Sequence, residues 1–538
     1  MSDAVILQLQ QSISSELVSH VDVEAVSQLV DMSTISVSLS PHTSALTAMA
    51  LTMQAFRDGH ACLDLASVAT IHPDSLRDSL MALPELVGTP HTASVLPRPP
   101  FVLDGELLYV SRVYDEERAV AQQLLADNAS RITIVLGGPG TGKTRYVAEY
   151  LRQLPDNEVP TIALCAPTGK ASQHLKSVLD ARLREAQASE AVLEALSFAP
   201  SVTTHKLLGY APGRTPRFRF GAREHLPYSL VIVDEASMLS LSMMHRLLVA
   251  LRSDARLWLV GDPDQLASVE AGSVLADIAR GAENNASPLH QRRTLLTKQH
   301  RFSSDSVIAA LAGAVRDGNI ETVRSILQTP SSEFTWIDPQ VHLDALHELG
   351  QLVIAHAQSV HDAAMAGNAS LALARKAEVQ VLSATREGRL GVRDWNQIVE
   401  TGLGPDTTQR WYVGRPVLVT RNDSSTGLSN GDVGIVCNVD GQLRAYFGDP
   451  NAPTSISLAR LPDTDTVHAL TIHKSQGSEY NHAIVVMPEV GSRIVTRELL
   501  YTGITRPQRK LTLVGSLASI ERAVNTPIRR ATGLAHRL

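Results

Sequence analysis

Residues 133–144 read TIVLGGPGTGKT, and this stretch decides the fold class. An apolar strand runs into a glycine-rich loop, and a helix is expected to follow. Backbone N–H groups of such a loop turn inward around phosphates, and the helix adds its positive N-terminal end. The stretch therefore predicts a nucleotide site in an α/β protein, although a plain glycine-rich strand-to-helix turn is the alternative. The expected phosphate-binding residues are Gly137, Gly138, Pro139, Gly140, Thr141, Gly142, Lys143 and Thr144.

Three further apolar runs follow, at residues 161–169 (TIALCAPTG), 229–237 (SLVIVDEAS) and 255–263 (ARLWLVGDP). Apolar strands that alternate with helices indicate a parallel sheet covered on both faces. Short β-runs separated by Asn-Gly and Asp-Gly turns then fill residues 411–460, which predicts a small β-barrel inserted in a second α/β domain. A Pro-rich stretch from His91 to Pro100 separates an N-terminal helical segment from this core.

Candidate catalytic residues lie where these strands end. In a nucleotide-binding protein, Asp234 suits Mg²⁺ together with the Thr144 hydroxyl, and Glu235 suits a general base for the attacking water. Alone, the two carboxylates could equally cap a helix. Gln265 can bond both a γ-phosphate and that water, although Gly261–Gln265 could also be a simple Asp-Pro turn.

Composition sets wider limits. The chain has 538 residues, enough for three or four domains, with 44% hydrophobic and 19% charged residues. It contains no long apolar run and starts without signal-peptide features, and its three cysteines are scattered; we expect a cytoplasmic protein with no membrane span and no zinc. The net charge of −7 weighs slightly against a nucleic-acid ligand, but a strand held in a groove needs local positive charge only.

Eight motifs in order give the chain a family resemblance. They are GGPGTGKT, APTGKAS, TTHKLLG, VIVDEASM, GDPDQLASVEAGSVL, HRF, HKSQGSEY and LYTGITR, between residues 137 and 506. This set resembles the helicase motifs of superfamily 1. Within it, APTGKA, TTHKLLG, RPVLVTRND, NGDVGIV and TIHKSQGSE are most similar to the RecD-like, 5′→3′ branch (superfamily 1B). The stretch after Gln265 has no aromatic residue, whereas the UvrD-like branch places base-stacking aromatics there.

The resemblance implies a complete architecture. It consists of two RecA-like P-loop lobes, a helical N-terminal domain and an inserted SH3-like β-barrel. The expected boundaries are 1–105 for the N-terminal partner-docking domain, 106–290 for the first lobe with a small insertion near 172–202, 291–391 and 461–538 for the second lobe, and 392–460 for the barrel.

The resemblance also implies roles residue by residue. ATP and Mg²⁺ would lie between the lobes, with Arg301 and Arg506 as arginine fingers and Glu479 at the nucleotide ribose. The expected DNA contacts are Pro167, Thr168, Lys170, Thr204, His205, His473, Lys474 and Ser475. His300 departs from the family, which usually has tyrosine before the Arg-Phe of that motif.

The implied function is an ATP-dependent 5′→3′ DNA helicase that acts on single- and double-stranded DNA. The resemblance makes it a subunit of a helicase–nuclease that processes double-strand breaks, with RecB-like and RecC-like partners and no nuclease site of its own. Two alternatives stay open: a free-standing helicase of the same superfamily, and a structural subunit whose ATPase only switches shape. The N-terminal hundred residues match the family only loosely, in GHACLDL and LLYVSRVYDEE.

Overall fold

The computed structural model describes residues 18–32, 43–68, 73–92, 98–126, 131–211, 213, 217–302, 306–423 and 425–538. Part of the expected linker, residues 93–97, lies outside this set. The described residues form four sheets, two of them parallel, around which the helices pack. Within the described part of the chain, no helix combines the length and apolar character needed to cross a membrane.

The N-terminal region combines helices with a small sheet. Its helices are His20–Met32, Thr43–Arg57 and Pro73–Met81. Its strands are β1 (Leu63–Asp64), β2 (Val87–Gly88), β3 (Phe101–Asp104) and β4 (Leu107–Val110), in the order β1-β4-β3-β2. The region expected to be helical thus also contains a small sheet, and this sheet extends past residue 105, because β4 pairs with β3.

Lobe 1 is a six-stranded parallel sheet with helices on both faces. Its strands are β5 (Ile132–Gly137), β6 (Ile162–Ala166), β7 (Ser201–Thr203), β8 (Leu230–Val233), β9 (Arg256–Gly261) and β10 (Arg293–Leu296), in the order β10-β5-β9-β8-β6-β7. Its helices are Ser111–Leu125, Lys143–Arg152, Gly169–Glu185, Glu190–Phe198, Thr204–Leu207, Leu241–Ala250 and Val274–Gly281.

The core of lobe 1 shows why its strands read as continuous apolar runs. Ile134 belongs to one buried cluster and its neighbour Val135 to another, because successive side chains point to opposite faces of the sheet. Both clusters are shielded by helices, as the parallel arrangement requires.

Two expected boundaries in lobe 1 differ from the structure. Strand β10 pairs with β5, so the lobe extends beyond residue 290. The expected insertion near 172–202 is not a separate unit, because helices Gly169–Glu185 and Glu190–Phe198 bury Leu179, Leu183 and Leu196 in the lobe's own core.

Lobe 2 is a five-stranded parallel sheet, interrupted by the inserted segment. Before the insertion come helices Val307–Arg316, Ile320–Gln328, Leu343–Met365, Ala369–Lys376 and Val392–Leu403, with β11 (Phe334–Ile337) and β12 (Val379–Ser383). The helical stretch expected from about 342 to 377 is confirmed.

The inserted segment forms a five-stranded antiparallel sheet. Its strands are β13 (Pro416–Val419), β14 (Val433–Val439), β15 (Gln442–Phe447), β16 (Thr454–Ser457) and β17 (Thr464–Thr466), in the order β16-β15-β14-β13-β17. It begins later than the expected residue 392, because Trp395 and Val399 of helix Val392–Leu403 are buried in the core of lobe 2.

The chain then returns to lobe 2. Strands β18 (Ala469–Thr471), β19 (Tyr480–Val486) and β20 (Pro507–Val514) complete the sheet in the order β11-β20-β19-β12-β18, and helices Arg497–Ile504 and Leu517–Asn525 pack beside them.

The last residues cross back to lobe 1 and the N-terminal region. Helix Leu534–Arg537 packs against helices of lobe 1, and Arg537 reaches Glu117, which has no exposed surface. Glu117 also accepts hydrogen bonds from the Tyr109 hydroxyl and the Gly533 amide. Removing one partner of such a buried ion pair costs about 3–5 kcal/mol of stability, so the pair holds helix Leu534–Arg537 firmly against lobe 1.

Candidate active site between the two lobes

The phosphate loop has the expected strand–loop–helix form. Strand β5 ends at Gly137, and the helix begins at Lys143. Gly140 and Gly142 have φ values of 78° and 86°, in the left-handed region that favours glycine. The Lys143 ammonium donates to the carbonyl oxygens of Gly137 at 2.8 Å and Gly138 at 3.1 Å. The loop thus holds its lysine over the turn where phosphates would bind.

Lobe 2 closes over this loop. A Cβ placed on Gly138 would lie 2.9 Å from the Tyr501 hydroxyl, and one on Gly140 would lie 2.6 Å from Arg301 Cβ. The backbone of His300 donates to the Gly140 carbonyl at 2.8 Å. The glycines are therefore required both for the turn and for the close approach of the chain that enters lobe 2.

The two carboxylates follow β8. The backbone N–H of Glu235 donates to Asp234 Oδ1 at 2.9 Å, and Glu235 itself has a φ of 51°, which is uncommon for a non-glycine residue. Burial, followed by the charge of Glu235, raises the pKa of Asp234 to about 6, and Lys143 opposes the shift. Such a site favours a nearby positive charge, and the Asp234 carboxylate and Thr144 hydroxyl offer the oxygen ligands that Mg²⁺ prefers.

Gln265 and Arg506 meet across the cleft. Arg506 is 3% exposed and donates through Nη2 to Gln265 Oε1 at 3.0 Å. The Gln265 amide in turn donates to Asp262 Oδ2 at 3.1 Å. Because Gln265 follows β9 of lobe 1 and Arg506 follows the helix Arg497–Ile504 of lobe 2, this chain of hydrogen bonds links the lobes at the nucleotide site.

Arg301 lies on the segment that leaves β10. Its Nη1 donates to the Thr505 carbonyl at 3.1 Å, and its Nη2 pairs with Glu479. Glu479 also accepts from Gln508 Nε2 at 3.1 Å. The residue expected at the ribose is thus engaged with the first expected arginine finger.

One cleft of about 340 Å³ brings together the side chains expected to act on ATP. They are Lys143, Thr144, Asp234, Glu235, Gln265, Arg301, Glu479 and Arg506. The cleft also contains residues that sequence reasoning missed, namely Arg145, His174 and Arg182. These three carry no motif signal, since they lie on the exposed faces of helices whose cores alone set the periodicity.

Tyr501 and Asp262 were also missed, although both lie within quoted motifs. Tyr501 stands over Gly138, and Asp262 orients the Gln265 amide. Burial raises the pKa of Tyr501 well above its ordinary value, which keeps its hydroxyl protonated.

The expected DNA-contact residues divide into two groups. Thr204 and Ser475 have no exposed surface, and the Ser475 hydroxyl donates to the Ile472 carbonyl at 2.7 Å. As placed, these two side chains are covered by the surrounding protein, and direct contact with DNA stays a prediction for them. His205 and His473 are exposed beside them.

The loop around Lys170 meets the inserted sheet. Thr168 caps the helix Gly169–Glu185 by accepting from the Ala171 amide, and Pro167 precedes it. A Cβ on Gly169 would lie 2.8 Å from Ser429 Cβ. Burial lowers the pKa of Lys170, and Asp432 of the inserted segment opposes that shift. The inserted sheet therefore contributes an acidic neighbour to the expected DNA-binding loop.

Among the residues from 18 to 538 that the structure describes, no group of three or more His, Cys, Asp or Glu side chains could hold a metal ion.

Comparisons with known proteins place this site in a family. Residues 113–331 match the family profile described as "AAA domain", and residues 466–514 match "UvrD-like helicase C-terminal domain". The RecBCD enzyme subunit RecD of Mycolicibacterium smegmatis is 37% identical, over 93% of this chain and 94% of that protein. The ATP-dependent RecD2 DNA helicase of Deinococcus radiodurans is 29% identical, over 75% of this chain and 49% of that protein.

Among solved structures, Bacteroides Pif1 bound to single-stranded DNA aligns with a TM-score of 0.39 and 16% identity, over 74% of this chain and 91% of that one. The sequence relationship to the mycobacterial protein covers nearly all of both chains, and the ATP-site residues of the eight motifs converge on one cleft. The chain therefore belongs to the RecD family of ATP-dependent DNA helicases.

Proposed function

We propose that the chain moves 5′→3′ along single-stranded DNA by hydrolysing Mg²⁺–ATP in the cleft between the lobes. The observation that carries the proposal is the hydrogen-bond chain from Arg506 through Gln265 to Asp262, because it makes lobe closure depend on the groups around the γ-phosphate. We also propose that the inserted antiparallel sheet is an SH3-like β-barrel.

Each ATP-site residue takes a role that its position supports. Lys143 exchanges the Gly137 and Gly138 carbonyls for phosphate oxygens. Thr144 and Asp234 hold Mg²⁺, which neutralises phosphate charge when bound. Glu235 accepts a proton from the attacking water, Gln265 orients that water, and Glu479 faces the ribose side.

The two arginines stabilise the charge that develops on the γ-phosphate. Arg506 already points at Gln265, and Arg301 lies against Gly140 of the phosphate loop. For Arg301 to reach the nucleotide, its pairing with Glu479 must loosen as the lobes close. This exchange gives the cleft an open and a closed hydrogen-bond pattern.

DNA is proposed to cross the exposed loops of both lobes. Pro167, Thr168 and Lys170 supply one contact region, and His205, His473 and Lys474 continue it. Phosphate contacts of this kind are salt-dependent and indifferent to sequence. Thr204 and Ser475 support the loops from inside.

The partner proposal rests on sequence similarity. The RecBCD enzyme subunit RecD of Mycolicibacterium smegmatis is 37% identical over 93% of this chain, whereas the RecD2 helicase is 29% identical over 75%. We therefore propose a subunit that joins RecB-like and RecC-like partners in a helicase–nuclease for double-strand break repair, with the N-terminal region as the docking surface. A free-standing helicase is the second candidate, and a switch-only ATPase is the third.

Tailed duplexes test the direction. The experiment uses the complex with RecB-like and RecC-like subunits, in which a P-loop mutation disables the RecB-like motor. Unwinding is measured at low salt on duplexes that carry either a 5′ or a 3′ single-stranded tail. We expect ATP-dependent unwinding of the 5′-tailed duplex. Unwinding of the 3′-tailed duplex alone contradicts the direction, and ATP turnover indifferent to single-stranded DNA favours the switch-only candidate.

A further inference from the structure

The segment 262–272 of lobe 1 is held at both ends by other parts of the chain. At its first end, Gln265 bonds Arg506, and the Leu266 amide donates to Thr502 Oγ1 at 3.0 Å. Gln476 also donates to the Leu266 carbonyl at 3.0 Å. This end is therefore attached by hydrogen bonds to lobe 2 at the nucleotide site. We name the whole segment 262–272 the sensor segment.

Its second end is held by one guanidinium from the C-terminal tail. Arg530 donates to the carbonyl oxygens of Ser268 at 2.6 Å, Glu270 at 2.8 Å and Gly272 at 2.8 Å. Three carbonyls of one short loop converge on a planar fork of donors, a geometry that lysine cannot reproduce. The loop conformation is thus specified by Arg530.

The same point joins the N-terminal region. The Gly272 amide donates to the Gly59 carbonyl at 3.0 Å, and the Ala531 amide donates to His60 Nδ1 at 2.9 Å. Gly59 has a φ of +90°, and a Cβ there would lie 2.9 Å from Arg530 Cζ. Gly59 is therefore required for the guanidinium to fit between the N-terminal region and the sensor segment.

The tail that carries Arg530 starts from lobe 2. The Ile528 amide donates to Glu498 Oε2 at 2.9 Å, on the helix that precedes Arg506. Within three residues, the backbone passes from a bond with lobe 2 to a bond with the N-terminal region at Ala531. Arg530 lies between these two attachments and bonds lobe 1.

The loop that Arg530 holds is exposed at its middle, because Val269, between two of the bonded carbonyls, is 83% exposed. Burial lowers the pKa of His205, a residue expected to contact DNA, and the charge of Glu270 opposes that shift. The sensor segment thus extends from Gln265 to an exposed loop whose carboxylate acts electrostatically on His205.

We propose that Arg530 is a positioning residue that couples the nucleotide sensor Gln265 to the N-terminal region and to the exposed loop around Val269. Arg530 fixes the second end of the sensor segment. When the lobes close and Gln265 moves, the segment therefore displaces the contact between Gly272 and Gly59. The inference rests on the proposed function, since it assigns a route for coupling that the motor would use.

The test compares neighbouring arginines. Arg530→Ala and Arg530→Lys are measured against Arg529→Ala, which changes an exposed arginine one position away. Each is assayed in the full chain, within the reconstituted complex, for kcat and KM of ATP hydrolysis with and without single-stranded DNA. We expect DNA-stimulated kcat to fall about 3- to 30-fold in both Arg530 variants, the range seen for residues that carry coupling, with unchanged KM for ATP. Arg529→Ala should behave as the wild type.

Gly59→Ala changes the partner of Arg530 in the N-terminal region, because the added Cβ would displace the guanidinium. It should lower DNA-stimulated kcat in the same way. Arg530→Lys keeps the charge and most of the stem, so it carries the test if the alanine variant does not fold. Wild-type kcat in Arg530→Lys overturns the proposal. So does a loss in which KM and the melting temperature change together with kcat, because that marks a purely structural contact. A wild type without DNA stimulation contradicts the proposed function instead.

Discussion

The proposed ATP cleft and the loops proposed to contact DNA differ in how their motif residues are placed. In the cleft, all eight side chains expected to act on ATP line one cavity. On the DNA side, two of the eight expected contact residues are fully buried, and Lys170 has an acidic neighbour from the inserted sheet. Phosphate chemistry needs specific atoms at specific places, whereas a groove that binds a DNA backbone needs a shape and a charge.

Residues of the two kinds of motif are therefore expected to act in different ways. A residue of an ATP motif is expected to touch the nucleotide, so its loss should change the chemical step. A residue of a DNA motif can act by supporting its loop, so its loss should change stability before affinity. The expected effects of substitution are therefore largest in the cleft and smallest in the loops proposed to contact DNA.

The largest effect is expected for Lys143→Ala. Its ammonium lies over the phosphate loop, and without it the charge at the β- and γ-phosphates is uncompensated. We expect ATP hydrolysis to fall to the detection limit with an unchanged melting temperature. Lys176→Ala, which changes a lysine bonded to the Ser197 and Ala199 carbonyls, is the matched control and should retain turnover. Near-normal hydrolysis in a folded Lys143→Ala protein would place the site elsewhere.

Glu235→Gln should come next. The substitution keeps the shape but removes the proton acceptor, which typically costs about 10²–10⁴-fold in rate. ATP binding should persist, measured by equilibrium binding of a fluorescent analogue with Mg²⁺ present. If binding is lost while turnover per bound ATP is unchanged, Glu235 serves the left-handed turn after β8 rather than the reaction.

Arg506→Ala is expected to lower kcat by about 10²–10³-fold, the usual cost of one lost donor at a developing charge. The KM for ATP should change far less, because the guanidinium acts in the transition state. Arg509→Ala, an exposed arginine of β20, is the control. A KM rise that accounts for the whole loss would show that Arg506 binds ATP without stabilising the reaction.

The residues of lobe 1 that line the cleft have local sequence signals. Lys143 and Thr144 begin a helix, and Asp234 and Glu235 directly follow a strand. Strands that read as apolar runs place their carboxyl ends at one edge of the sheet. The pairing of Arg301 with Glu479 escaped prediction because the two residues are 178 positions apart and no spacing rule connects them.

Domain boundaries were less predictable for a different reason. Strand β10 joins the edge of lobe 1 through pairing with β5, and because none of its four residues is fully buried, it gives little apolar periodicity. The N-terminal sheet has two strands of two residues each, too short for an alternating pattern. The C-terminal tail carries Arg530 and Arg537 in a stretch that reads as an ordinary polar terminus.

The smallest effects separate the adjacent residues Lys474 and Ser475. Lys474 is half-buried and lies 3.7 Å from Asp465, which is exposed. An ion pair this open to solvent contributes little stability, so the Lys474 ammonium is available to a phosphate. Lys474→Ala should weaken single-stranded DNA binding for all sequences and reduce the salt slope by about 1. Ser475 instead bonds the Ile472 carbonyl inside the loop, so Ser475→Ala should cost about 1 kcal/mol of stability and leave the salt slope unchanged. Fluorescence anisotropy across a salt series, combined with thermal unfolding, measures both quantities. Equal salt slopes for the wild type and Lys474→Ala would show that Lys474 does not contact a DNA phosphate. A reduced slope for Ser475→Ala would mean that the buried loop opens when DNA binds, so that this residue would contact DNA as directly as the cleft residues contact ATP.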